Sequence, residues 1–225
     1  MLDPPAAGVH VPASVIPACW LPLGDSYTIG EGVEPAVRWP AQAAALLSAT
    51  GVPVELGDPI ATTGWTCDDL LAGMEVASVW PARRRYALVS LLIGVNDQYR
   101  GRVPGDFAKA YAACLERAVA LARGEPARVL VVSIPDWGVT PFASDHDRRH
   151  IARAIDDCNA HQRAAAEARG AHWCDITALS RRHGGDPAFL TADGLHPNAN
   201  AYADWARVIV PVAAAALRGE WTGQH

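Results

Sequence analysis

One stretch narrows the possible folds more than any other: residues 86–93, Tyr-Ala-Leu-Val-Ser-Leu-Leu-Ile, apolar almost without a break. A strand with one wet face alternates apolar and polar residues, so a continuous run of this length predicts a strand covered on both faces, the situation of a central strand in a parallel sheet. A second run, rich in β-branched residues, follows over residues 128–134. Between the two, residues 104–123 carry Phe107, Tyr111, Leu115 and Val119 at helical spacing and end at Gly124. Strand, helix and strand in that order predict a βαβ crossover and therefore an α/β fold.

The rest of the chain repeats the alternation. Residues 19–23 (Cys-Trp-Leu-Pro-Leu), 52–56 and 171–176 read as further strands. Helices are expected over residues 39–50, closed by Gly51, over 147–169, stopped by Gly170, and over 197–217. Thr66 and Asp69 have the spacing of a capping box, which predicts a helix start just beyond Gly64. Residues 135–142 form a longer loop. No internal repeat or linker divides the 225 residues, so the expectation is one domain spanning 1–225, with 1–18 an extended, proline-stiffened lead-in and 219–225 a tail.

Composition excludes several function classes. A formal net charge of −5, with no Lys/Arg run longer than Arg83-Arg84-Arg85, argues against a basic face for nucleic acid. Lys109 is the only lysine, which argues against Schiff-base and P-loop mechanisms. The five cysteines have no CxxC spacing, a pattern expected of reduced thiols in a cytoplasmic protein. The N-terminal segment lacks Lys and Arg and is interrupted by Pro4, Pro5, Pro12 and Pro17, so it does not read as a signal peptide. No apolar run approaches the roughly 20 residues that span a bilayer.

Four short motifs carry the candidate chemistry. Gly24-Asp25-Ser26 follows the first strand and delivers a serine into a glycine-bounded turn, with Gly30 and Gly32 expected to keep the next segment irregular and the serine uncovered. Gly64 follows the second strand, Asn96 the third, and Asp193-Gly194-Leu195-His196 comes after the fifth. In an open α/β sheet, ligands bind beyond the carboxyl ends of the strands, so the four motifs land on one edge. Taken singly, each also reads as a turn or a helix cap.

In that order and at those separations, the motifs resemble the four signature blocks of the SGNH/GDSL hydrolase family, over most of the chain from about Trp20 to about Ile209. Tyr27 stands where the family's leucine would be, at a position without a chemical role. The resemblance implies a three-layer αβα sandwich with a flavodoxin-like parallel sheet of about five strands, and a cofactor-independent serine hydrolase of carboxylic esters or thioesters. Ser26 would be the nucleophile, His196 its general base and Asp193 the residue that orients the imidazole. The backbone N–H groups of Ser26 and Gly64 and the amide of Asn96 would form the oxyanion hole. A small-molecule ester is the implied partner. Deacetylation of carbohydrates and acyl transfer to an alcohol are the alternatives within the family, and a non-catalytic binding module that keeps the fold is the alternative outside it.

Other residues have weaker claims. Trp65, Trp137 and Phe142 lie near the expected site edge and are candidates to line a substrate pocket, with ordinary core burial the competing reading. Asp25 and Asp97 are expected to hold the site loops by accepting backbone hydrogen bonds. His146 and His150, four apart, would suit a metal only with a third ligand, and Arg148 and Arg149 between them favour a solvated face, so no metal is assigned. Cys67 at a helix start is a structural thiol or a reactive one. Gln98 belongs to no motif and is expected to be silent.

Overall fold

The computed structural model describes residues 17–78 and 86–220; the lead-in through residue 16 and the tail beyond residue 220 lie outside it. Six parallel strands form one sheet: β1 (Ala18–Gly24), β2 (Val54–Leu56), β3 (Ile60–Ala61), β4 (Leu88–Leu92), β5 (Val129–Val132) and β6 (His172–Cys174), in the order β2-β1-β4-β5-β6 with β3 also paired to β1. The helices are α1 (Ser26–Ile29), α2 (Trp39–Ala49), α3 (Cys67–Ser78), α4 (Val95–Tyr99), α5 (Pro104–Leu121), α6 (Arg148–Arg169), α7 (Thr177–His183) and α8 (Ala199–Arg218).

The uninterrupted apolar runs have the cause inferred from them. Along β4, Leu88 and Leu92 enter the core beneath α2 and α8, while Val89 and Leu91 enter the core beneath α3 and α5. β5 divides the same way, with Leu130 and Val132 on one face and Val129 and Val131 on the other. All are buried, and each contributes about 1.5–3 kcal/mol relative to exposure. Ser90 is the polar exception in β4; its hydroxyl accepts a 3.0 Å hydrogen bond from Trp20 Nε1 in the adjacent strand. The result is a three-layer αβα sandwich.

The second expected strand, residues 52–56, is present as β2, and an additional short strand, β3, follows it. β2 pairs with Ala18 to Trp20 and β3 with Leu23 and Gly24, both along the same edge of β1. Gly57-Asp58-Pro59 separates them, and proline, having no N–H to donate, interrupts the ladder. Among the elements without a counterpart in the sequence expectations are α4, α7, and the pair of single 3-10 turns Trp137–Val139 and Pro141–Ala143 inside the expected loop.

Local signals set the helix ends. The capping box is reciprocal: Thr66 N–H donates to Asp69 Oδ2 at 2.9 Å and Asp69 N–H to Thr66 Oγ1 at 3.4 Å. Asp147 caps α6 through Arg149 N–H and His150 N–H, and Gly170 and Gly219 close α6 and α8 in the left-handed conformation.

Candidate active site

β1 ends at Gly24, where a side chain is excluded: a Cβ there would lie 2.2 Å from Thr28 Oγ1 and 2.3 Å from Leu92 O. Asp25 then caps α1, its Oδ1 accepting from Tyr27 N–H at 3.0 Å, and Ser26 is the first helical residue. The segment is therefore helical rather than irregular, and Ser26 is 5% exposed rather than uncovered. The cap turns the chain sharply at the strand end and tucks the serine under its neighbours. Thr28 N–H and Ile29 N–H donate to Asp25 O, which leaves the Ser26 N–H outside the turn's own bonds.

Ser26 Oγ lies 2.9 Å from His196 Nε2, and His196 Nδ1 lies 2.6 Å from Asp193 Oδ2. The Asp193 carboxylate also organises its own loop: Oδ1 accepts from Leu195 N–H at 2.8 Å, His196 N–H at 3.0 Å and Thr191 Oγ1 at 2.6 Å. Partial burial pushes the carboxyl upward, but the bonds from His196, Thr191 and the two backbone N–H groups outweigh it and hold Asp193 well below the usual carboxylate range. With the carboxylate on Nδ1–H, the imidazole presents Nε2 as an acceptor to the serine hydroxyl.

Gly64 has φ +81°, a conformation that favours glycine. Trp65 N–H bonds back to Thr62 O, leaving the Gly64 N–H outside that turn's bond. Asn96, in the first turn of α4, donates one N–H to Trp65 O at 2.9 Å, and an amide nitrogen carries a second hydrogen. Its neighbour Asp97 accepts from Cys67 N–H at 2.9 Å and from Arg102 Nη1 at 2.7 Å, fastening the start of α3 to α4.

These groups open onto a cleft of about 200 Å³ lined by Ser26, Gly64, Asn96 and His196 together with Tyr27, Thr63, Val95, Tyr99, Trp137, Phe142 and Leu195. Two of the three expected pocket aromatics are therefore on its wall. Trp65 is not: its ring lies against α3, where a Cβ on Gly73 would stand 2.4 Å from it, and it packs into the core beneath α3 and α5. Its contribution at the cleft is the carbonyl that holds Asn96. Tyr99 and Leu195, not singled out as pocket residues from the sequence, have a retrievable signal: Leu195 lies inside the fourth motif and Tyr99 three residues beyond Asn96, and both reach the strand-end edge with them.

The aromatic wall is continuous. Tyr99 lies 5.2 Å from Trp137 and 6.2 Å from Phe142, ring centre to centre, and His146 stacks on Phe142 at 6.3 Å. His146 thus joins a ring cluster, His150 is an exposed residue of the first turn of α6, and no metal-ligating group of three or more His, Cys, Asp or Glu occurs among the described residues. The reactive reading of Cys67 is overturned. It is buried, and a thiol hydrogen bond with Cys114, burial and nearby Asp97 push its pKa far above the ordinary thiol value.

Asp25 is buried, and its Oδ2 has no hydrogen-bond partner. Burial raises this carboxyl to about 7, with the Tyr27 N–H bond opposing and the charge of Asp97 adding. No described helix is long and apolar enough to cross a membrane.

The sequence profile of the GDSL-like Lipase/Acylhydrolase family matches residues 23–203. Comparison with curated proteins finds no significant match. Among solved structures, TesA superposes with a TM-score of 0.66 at 22% identity, covering 86% of this chain and 97% of its own. The psychrotrophic esterase EstA from Pseudoalteromonas sp., in a structure inhibited by monoethylphosphonate, gives 0.67 at 16% identity over 89% and 99% of the two chains. A variant of Axe2, an acetyl xylan esterase from Geobacillus stearothermophilus, gives 0.63 at 21% over 87% and 94%. At these identities the likeness is one of fold.

Proposed function

Because this chain belongs to the GDSL-like lipase/acylhydrolase family, a family of hydrolases acting on esters, we propose that it cleaves small apolar carboxylic esters or thioesters through an acyl-enzyme on Ser26. The observation that carries the proposal is the linear relay from Asp193 Oδ2 to His196 Nδ1 and from His196 Nε2 to Ser26 Oγ, at 2.6 and 2.9 Å. A serine hydroxyl needs a base at hydrogen-bond distance to become nucleophilic, and an imidazole held in one tautomer supplies it.

In this reading Ser26 Oγ attacks the ester carbonyl carbon as His196 Nε2 takes the hydroxyl proton, and Asp193 stabilises the imidazolium. The N–H groups of Ser26 and Gly64 and the second N–H of Asn96 receive the negative charge on the carbonyl oxygen. His196 returns the proton to the departing alkoxide or thiolate. It then takes a proton from water as that water attacks the acyl-enzyme, and returns it to Ser26 Oγ as the acyl carbon–Oγ bond breaks, releasing the acid and regenerating the serine hydroxyl.

The cleft lining supports an apolar substrate. Apart from the four reacting residues and Thr63, the wall consists of Tyr27, Val95, Tyr99, Trp137, Phe142 and Leu195, and the Thr63 hydroxyl already donates to Glu31. A sugar needs several convergent donors and acceptors, so acetylated carbohydrates are the second choice. The cleft also falls below the roughly 300 Å³ at which pockets for larger ligands begin, which favours short acyl groups.

A fluorophosphonate probe and a chain-length series of p-nitrophenyl esters test the proposal together. Expected are stoichiometric labelling of Ser26 and a preference for short acyl chains over long ones and over acetylated sugars. Failure of Ser26 to label would favour a non-catalytic binding module.

A further inference from the structure

Helix α4 and the residue that ends it reach across to the turn carrying Gly64 at three points. Asn96 bonds Trp65 O, Asp97 bonds Cys67 N–H, and Arg100 Nη2 donates to Gly64 O at 2.8 Å. Of the three, Arg100 is the one that bonds Gly64 itself. Residues 62–66 belong to neither helix nor strand; Trp65 N–H bonds Thr62 O at 3.2 Å, and the carbonyl of that same peptide, Gly64 O, is held by the Arg100 side chain. The guanidinium lies directly against Gly64, 3.7 Å from where a Cβ would stand. Arg100 is anchored in turn at the end of α4, its own N–H donating to Asn96 O at 3.1 Å.

We propose that Arg100 is a positioning residue for the oxyanion donors: through Gly64 O it holds the Gly64–Trp65 peptide, the fixed side of the Gly64 backbone from which its φ and ψ direct the Gly64 N–H toward the tetrahedral oxygen. The inference rests on the proposed hydrolase reading, in which that N–H is a donor. Arg100, which ends α4, follows Asn96 by four residues and is bonded to it through its own N–H, so one short element carries both the side-chain donor and the group that holds the backbone donor. A role in global stability is a poor alternative. The Arg100 side chain is 56% exposed and lies 3.9 Å from Asp69, an ion pair of the solvent-screened kind that contributes little. Catalysis responds far more steeply than folding to a small displacement of a donor.

Arg100→Met and Arg100→Lys, assayed beside the parent with a short p-nitrophenyl ester, test this. In Arg100→Met, kcat should fall roughly 10-fold, less than for loss of a donor itself, with KM nearly constant. Arg100→Lys, which keeps one donor, should fall in between, and added guanidinium ion should restore part of the methionine variant's kcat without changing its thermal midpoint. Phosphonate labelling of Ser26 in the parent keeps this test apart from that of the reaction class. If the parent labels and turns over but Arg100→Met keeps its kcat, or only its KM rises, the positioning role is wrong. Should Arg100→Met not fold, Arg100→Lys decides: an unchanged kcat overturns the proposal, and a reduced kcat at constant KM supports it.

Discussion

Gln98 Oε1 accepts a 2.7 Å hydrogen bond from Trp137 Nε1, tying a cleft-wall ring to helix α4. Trp137 is almost wholly buried and carries Tyr99 and Phe142 against it, so the bond orients the apolar wall as a unit. Gln98, expected from the sequence to be silent, therefore has a bonding partner on the cleft wall. Gln98→Ala should leave the indole N–H without its partner, at a cost of about 1–3 kcal/mol in stability. It should raise KM for apolar esters more than it lowers kcat. Steady-state kinetics on two esters of different acyl length, with a urea midpoint, check both parts.

Ser26→Ala should fold normally and lose nearly all turnover. His196→Ala should be comparably severe, and the double variant no worse than either, because nucleophile and base act as one unit. Single-turnover rates on the purified variants are the measurement. Wild-type-like turnover in Ser26→Ala would remove the serine from the mechanism.

Asn96→Ala should lower kcat by roughly 10² to 10³, or about 2.7 to 4 kcal/mol, with KM nearly constant, since its free N–H meets the oxygen mainly after charge has developed. Part of the loss comes through the turn, because the same amide holds Trp65 O. A raised KM at unchanged kcat would make Asn96 a ground-state contact.

Two carboxyl groups couple stability to pH with opposite signs. Asp25, raised to about 7 by burial, holds its proton in the folded protein where the unfolded chain has released it, so its contribution falls as pH rises from about 4 to about 7. Asp25→Asn removes that dependence. Between pH 5 and pH 8.5 the variant should gain roughly 2–3 kcal/mol on the parent, read from urea midpoints at the two pH values. Asp193, held low by its hydrogen bonds, contributes stability above about pH 4 that is lost as pH falls further. If the midpoint of Asp25→Asn tracked the parent's at both pH values, Asp25 would be titrating normally.

The sequence by itself determined the α/β alternation, the double-faced burial of β4, the helix caps at Thr66 and Gly170, and the order in which four motifs leave the strand ends. Each is a local property, because alternation, capping and turn chemistry depend on residues within a few positions of one another. Tertiary structure decided the rest. Ser26 and His196, 170 residues apart, meet because the sheet order gathers their loops at one edge. Of the two readings open to Trp65 the core one holds, its ring turned onto Gly73, while Tyr99, which had no assigned role, lines the cleft; no pattern along either segment encodes this. Gln98 and Arg100 likewise find their partners, Trp137 and Gly64, beside α4 through the packing of other elements. Periodicity reports how a residue sits on its own element, whereas contact between elements depends on which of them the sheet places side by side.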